Sequence, residues 1–93
     1  MKEKITNYPP LVSIGIPTYN RVDSLERAIK CAINQTYKNL EIIISDNATP
    51  GVDVEMLAKR YMKSDNRISF KKQTNNYGLE KNFQYLINEA NGK

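Results

Sequence analysis

Leu40-Glu41-Ile42-Ile43-Ile44-Ser45-Asp46 is the strongest strand signal in the chain. Branching at Cβ in three successive isoleucines favours extended backbone. The run does not alternate apolar with polar, so both of its faces are expected to be buried, as in a parallel strand lying between layers of helix. Asp46 closes it, and the loop Asn47-Ala48-Thr49-Pro50-Gly51 follows.

Towards the amino terminus, Leu11-Val12-Ser13-Ile14-Gly15-Ile16-Pro17 is a second buried strand, introduced by Pro9-Pro10 and stopped by Pro17. Between the two, Leu25, Ala28, Ile29, Ala32 and Ile33 recur at helical spacing from Val22 onward. This predicts an amphipathic helix capped by Asp23 or Ser24 and ending near Gln35. Beyond the isoleucine run, Val54, Leu57, Ala58 and Tyr61 mark another helix, and Arg67-Ile68-Ser69-Phe70-Lys71 a third, more exposed strand. The polar loop Gln73-Thr74-Asn75-Asn76-Tyr77-Gly78 leads into a third helix carrying Leu79, Phe83, Leu86, Ile87 and Ala90, with Asn91-Gly92 as its capping signal.

The order β-α-β-α-β-α defines an α/β fold with a mainly parallel sheet, right-handed crossovers and helices on both faces. Residues 1–10 are a polar lead-in and 11–93 one unit, without repeats, low-complexity tracts or a linker. A helix closes at Asn91-Gly92-Lys93, where an α/β chain ordinarily enters another strand, so a truncated domain is expected.

Composition sets further bounds. With 93 residues, 40% hydrophobic and 26% charged, one small core is expected. A single cysteine, Cys31, excludes an internal disulfide and fits a reducing compartment, with cytoplasm as the default. It lies beside the apolar stripe of the first helix and is expected to be a half-buried structural thiol. No apolar run approaches the roughly 18 residues that span a bilayer. The net charge of +4 favours an anionic partner, but the lysines are scattered, and no nucleic acid is expected among the partners. Without any histidine, Ser-His-Asp and Cys-His catalysis are excluded, and neither the P-loop pattern nor the dinucleotide fingerprint occurs.

In open α/β sheets ligands bind beyond the carboxyl ends of the strands. There the first strand delivers Pro17, Thr18, Tyr19, Asn20 and Arg21, the second Asp46 and Asn47, and the third leads to Asn76 and Gly78. An aromatic face for a base, a carboxylate and amides for base or ribose, and an arginine for phosphate suit a nucleoside diphosphate. Each has a plainer role open to it. Asp46 can cap a turn, Tyr19 can pack on the sheet edge, and Arg21 can be a solvated surface charge.

Val12-Ser13-Ile14-Gly15-Ile16-Pro17-Thr18-Tyr19-Asn20-Arg21, Gln35-Thr36-Tyr37, Glu41-Ile42-Ile43-Ile44-Ser45-Asp46-Asn47, Asn76-Tyr77-Gly78 and Ala90-Asn91-Gly92-Lys93 follow one another in the order and spacing of a known pattern. Over residues 11–93 the chain resembles the amino-terminal part of family 2 glycosyltransferases, which would make it the Rossmann-like half of a GT-A fold. The resemblance implies inverting transfer of a sugar from a nucleoside-diphosphate sugar, a UDP-sugar among the candidates, to a hydroxyl of a glycan or lipid-linked acceptor. It implies that Thr18 and Tyr19 line the base pocket and that Asp46 sits at base and ribose. Asn47 stands where many relatives have a second Asp, which leaves open which of the two contacts the base. Arg21, Lys81 and Asn82 would approach ribose or diphosphate. The family's Asp-x-Asp motif, for Mg²⁺ or Mn²⁺, and its catalytic base would fall beyond Lys93, so these residues alone are expected neither to bind metal nor to catalyse transfer. Polysaccharide biosynthesis at the cytoplasmic face of a membrane, and self-association through an exposed sheet edge, complete the expectations. A non-catalytic nucleotide-binding or interaction module of the same half-fold is the alternative. A response-regulator-like domain would need an acidic pair after the first strand, where Pro17-Thr18-Tyr19 offers none.

Overall fold

The computed structural model describes residues 10–76 and 78–92. Positions 1–9, Tyr77 and Lys93 lie outside the described residues, as do the side chains of Leu79, Glu80 and Phe83. The elements are β1 (Val12–Thr18), α1 (Val22–Ile33), β2 (Leu40–Asp46), α2 (Asp53–Ser64), β3 (Ile68–Lys72) and α3 (Leu79–Glu89). The strands form one sheet in the order β1-β2-β3. Both pairings are parallel, with Val12 opposite Leu40, Thr18 opposite Asp46, and Ile42 opposite Ile68. The isoleucine run is therefore the central described strand, and Ile42, Ile43 and Ile44 are all buried.

Alternation along the strands sorts the two faces. Ile14, Ile16, Ile42, Ile44, Ile68 and Phe70 meet Leu25, Ile29 and Ala32 of α1 and Val54, Leu57 and Ala58 of α2 in one core. Each fully buried aliphatic side chain there stabilises the fold by about 1.5–3 kcal/mol relative to an exposed one. The other face carries Ser13, Gly15, Ile43 and Ser45, against which α3 lies. Gly15 makes the approach possible, because a Cβ at that position would stand 3.3 Å from Leu86 Cβ and Cδ1.

Local signals place the elements well and their ends less well. Arg21, not Asp23 or Ser24, is the N-cap of α1, and no side chain caps the helix. The helix starts early because Asn20 is fixed at φ 52° by a contact described below, so Asp23 falls in the first turn and favours the helix dipole instead. At the other end the helix stops at Ile33, and Asn34 and Gln35 turn back with N–H bonds to Lys30 and Ala32 carbonyls at 3.2 and 3.3 Å. Cys31 is exposed rather than half-buried, since two residues past Ile29 a helix has turned about 200° away from the stripe. At the end of α3, Asn91 and Gly92 do not form a left-handed cap. The C-cap is Ala90 in extended conformation, because the next two residues are drawn onto Glu41.

Candidate functional site

At the carboxyl ends of β1 and β2 the chain forms an open cleft of about 560 Å³. Pro17, Thr18, Tyr19 and Arg21 line it from β1 and its loop, Ser24, Leu25 and Ala28 from α1, Asn47 from the loop after β2, and Asn76, Gly78 and Asn82 from the entry to α3. Thr18 is buried beneath it, and Tyr19, 42% exposed, stands with its ring available to a ligand. Ala28, one helical turn beyond Ser24, keeps the α1 wall low. No carboxylate lines the cleft among the described residues.

Hydrogen bonds between loops set this arrangement. The Asn47 amide donates to Asn76 Oδ1 at 2.8 Å, and the Gly78 N–H donates to the same oxygen at 2.9 Å. Gly78 is the N-cap of α3 at φ 89°, ψ 164°, a conformation open to glycine almost alone. One asparagine oxygen thus joins the second loop to the start of the third helix. Asn82, buried within α3, donates to the Ser45 carbonyl at 3.0 Å and accepts from the Ser45 hydroxyl, which seats the helix on β2. Gln73 also donates to the Ser45 hydroxyl, at 3.0 Å.

Asp46 lies beneath the cleft and outside its lining. It is 1% exposed, and both of its oxygens accept from Thr49, from the N–H at 3.1 Å and from the hydroxyl at 2.5 Å. The Thr49 hydroxyl in turn accepts the Asn20 N–H at 2.6 Å. This relay spans 29 positions of sequence and holds Asn20 and Ala48 in the left-handed region, at φ 52° and 68°. For an alanine that conformation is uncommon, and it is kept only where surroundings enforce it. Asp46 thus fills the turn-capping role, and Asn47 is the residue presented to the cleft.

The structure therefore gathers Pro17, Thr18, Tyr19, Arg21, Asn47, Asn76, Gly78 and Asn82 around one space. Asn20, Asp46 and Lys81 stand outside the lining, with Asn20 at the loop's bend and Lys81 exposed on α3. Thr49 was not among the expected residues. An Asp followed three positions later by Thr is the spacing of a side-chain-capped turn, so a signal existed. Ser24 and Ala28 were also missed, although i, i+4 spacing puts them on one face of the helix leaving the loop.

Among the described residues no three His, Cys, Asp or Glu side chains come together in a group able to hold a metal ion. Asp46, with both oxygens bonded to Thr49, is not poised to take one. The described residues do not fit as a divalent-metal site by themselves.

Against this geometry, similarity to known proteins is informative. The family model Glycosyl transferase family 2 matches residues 13–93. The GalNAc(5)-diNAcBac-PP-undecaprenol beta-1,3-glucosyltransferase of Campylobacter jejuni is 36% identical over 85 residues, which cover 90% of this chain and 27% of that protein. An abequosyltransferase of Salmonella typhimurium is 37% identical over 84 residues, covering 88% of this chain and 25% of that protein. A mannosyltransferase of Pyrobaculum calidifontis, solved in complex with GDP-Man and Mn²⁺, superposes with a TM-score of 0.78 at 20% identity, over 87% of this chain and 24% of that one. The chain spans about a quarter of the length of these relatives.

Fold and superposition define the class, the α/β, Rossmann-like half of a GT-A fold. The chain belongs to glycosyl transferase family 2.

Proposed function

We propose that this chain is the nucleotide-binding part of a glycosyltransferase that moves a sugar from a nucleoside-diphosphate sugar to an acceptor hydroxyl in glycan synthesis. The observation that carries the reading is the cleft itself. An exposed aromatic ring, a hydroxyl, amides and a guanidinium converge at the carboxyl ends of parallel strands, where α/β sheets take their ligands. Tyr19 stacks on the base, Thr18 and Asn47 contact the base edge or ribose, and Arg21 pairs with phosphate, while Asn76, Gly78 and Asn82 shape the far wall. Asp46 acts through Thr49, holding the loop that carries Tyr19. Asn20 and Lys81 contribute from the rim.

The mannosyltransferase bound to GDP-Man supports a nucleotide-sugar donor for this chain, with UDP-sugars as an equal candidate. In the C. jejuni relative, the undecaprenol-linked saccharide in the name supports a lipid-linked acceptor, reached at the cytoplasmic face of a membrane. Among the described residues no helix is long and apolar enough to cross one. The chain's own share in this reading is binding and orienting the donor, through the ring, amides and guanidinium that line the cleft. Copies would self-associate through an exposed edge of the sheet, at β1 or β3, which sedimentation across a concentration series tests; a monomer at every concentration refutes it.

Calorimetric titration with UDP, GDP and dTDP, each with and without Mn²⁺, tests the main reading. Saturable binding is expected, weakened about 5- to 150-fold by Tyr19→Ala if the ring stacks on the base with the usual 1–3 kcal/mol. Binding that Tyr19→Ala leaves unchanged would remove the ring from the site, and no binding to any of the three would overturn the proposal.

A further inference from the structure

Glu41 stands second in β2, opposite Ser13 of β1 in the parallel register. Both side chains emerge on the face covered by α3, at the end of the sheet remote from the cleft. Four donors converge on its carboxylate: the Ser13 hydroxyl, the Asn91 N–H, the Asn91 side-chain amide at 3.2 Å and the Gly92 N–H at 3.1 Å. The Gly92 N–H also reaches the Ser13 hydroxyl at 2.7 Å. Partial burial works against the charged form of Glu41, and the bonds from Ser13, Asn91 and Gly92 outweigh it, so its pKa lies below the ordinary 4.5. Gly92 has no room for a side chain, because a Cβ there would overlap the Leu11 carbonyl and stand 2.9 Å from the Ser13 hydroxyl.

These contacts hold the far end of a helix whose near end forms a wall of the cleft. Asn82 is tied to Ser45 at the cleft, and nine residues later the chain is tied to Glu41. Glu41 and Ser45 lie four residues apart along β2, which at about 3.3 Å per residue separates the two anchors by roughly 13 Å. Between them the helix rests on Gly15 through Leu86. Asn82 and Leu86 thus hold the near end and the middle of α3, and the bonds to Glu41 are a third anchor beyond its carboxyl end.

We propose that Glu41 is a positioning residue: by clamping Asn91 and Gly92 onto the amino-terminal ends of β1 and β2, it fixes the placement of α3 and thereby of Gly78 and Asn82 in the cleft. The clamp stands on its own geometry, and its effect on ligand rests on the nucleotide reading above.

The test uses the intact protein and its Glu41→Leu, Glu41→Gln and Gly92→Ala variants, comparing amide hydrogen exchange with calorimetric UDP and GDP binding. Glutamine keeps an oxygen where three donors meet, and Asn91 can turn its amide to suit. Glu41→Leu should lose about 10- to 100-fold of the protection at Asn91 and Gly92, as expected for bonds to a charged acceptor, while Ile43 and Ile44 stay protected. Glu41→Gln should retain most of it. If Glu41→Leu does not fold, Gly92→Ala supplies the same comparison, since it opens the clamp from the other side. Nucleotide affinity should fall with the clamp and return in Glu41→Gln, which a merely destabilised core would not produce. Unchanged protection in the variants overturns the clamp. Lost protection with unchanged affinity overturns its role in positioning the cleft. If the wild-type protein binds none of UDP, GDP and dTDP, the proposed function fails and the exchange measurement alone decides the clamp.

Discussion

Replacing Thr49 by Val keeps the branched shape of the side chain and removes one oxygen from a site only 3% exposed. That oxygen serves two partners, donating to Asp46 Oδ1 and accepting the Asn20 N–H. A hydrogen bond to a charged group contributes about 1.5–3 kcal/mol, and a buried donor left without an acceptor costs about 1–3 kcal/mol. Asp46 keeps the Thr49 N–H at 3.1 Å, and Asn20 is exposed enough for water to reach part of its backbone. The two losses are therefore not fully additive, and the expected cost is about 2–4 kcal/mol. A domain of this length has about 5–14 kcal/mol in total, so the loss should be plain in urea denaturation as a lower midpoint at unchanged slope. Thr49→Ser, which keeps the hydroxyl, should recover most of it. Released from its acceptor, Asn20 has less reason to hold φ 52°, and Tyr19 and Arg21 beside it lose their aim. A cost below about 0.5 kcal/mol for Thr49→Val, within the range of ordinary surface changes, would refute the relay.

Gly15→Val should destabilise by about 1–3 kcal/mol through overpacking against Leu86, and a stabilised variant would mean that α3 does not rest there. Acid should weaken the fold through carboxyls whose pKa is lowered on folding. Glu26 is held below 4.5 by the Tyr61 hydroxyl and then by Lys30 and Arg60, against a smaller opposing effect of desolvation, and Asp65 is held below 3.8 chiefly by the Arg67 side chain. Such groups contribute stability above their unfolded pKa and lose it as pH falls through the folded one, so the urea midpoint should hold from about pH 7 to 5 and drop below that. A midpoint unchanged down to about pH 3 would contradict this, and Glu26→Gln together with Asp65→Asn should flatten the fall.

Much of the architecture was legible along the chain. The isoleucine run matches β2 at both ends, and the spacing of Leu25, Ile29 and Ala32 matches the buried stripe of α1. Both signals are local, since apolar period is imposed by which face must leave water. The helix ends were less legible for the opposite reason. Asp23 and Ser24 are good capping residues, yet the start of α1 was decided by Thr49, and Asn91-Gly92 is a good stop signal, yet the exit from α3 was decided by Glu41. Each deciding partner is remote in sequence, and its contact outweighs the roughly 1 kcal/mol that a cap contributes.

The candidate site divides along the same line. Which strand ends would carry Tyr19, Arg21, Asn47 and Asn76 followed from the order of elements, because parallel strands present all their carboxyl ends to one edge. Whether Asp46 or its neighbour faces that edge did not follow, since the backbone turns sharply after β2 and one step of chain moves a side chain from beneath the cleft into its lining. Only the folded loop, with Thr49 on both Asp46 oxygens, assigns the carboxylate to the turn and the Asn47 amide to the cleft. The sequence by itself determined the layers, their order and the family, because hydrophobic period and motif spacing are properties of neighbours along the chain. Tertiary structure alone decided which polar groups hold loops from beneath the cleft and which line it, because a hydrogen bond is settled by distance in space.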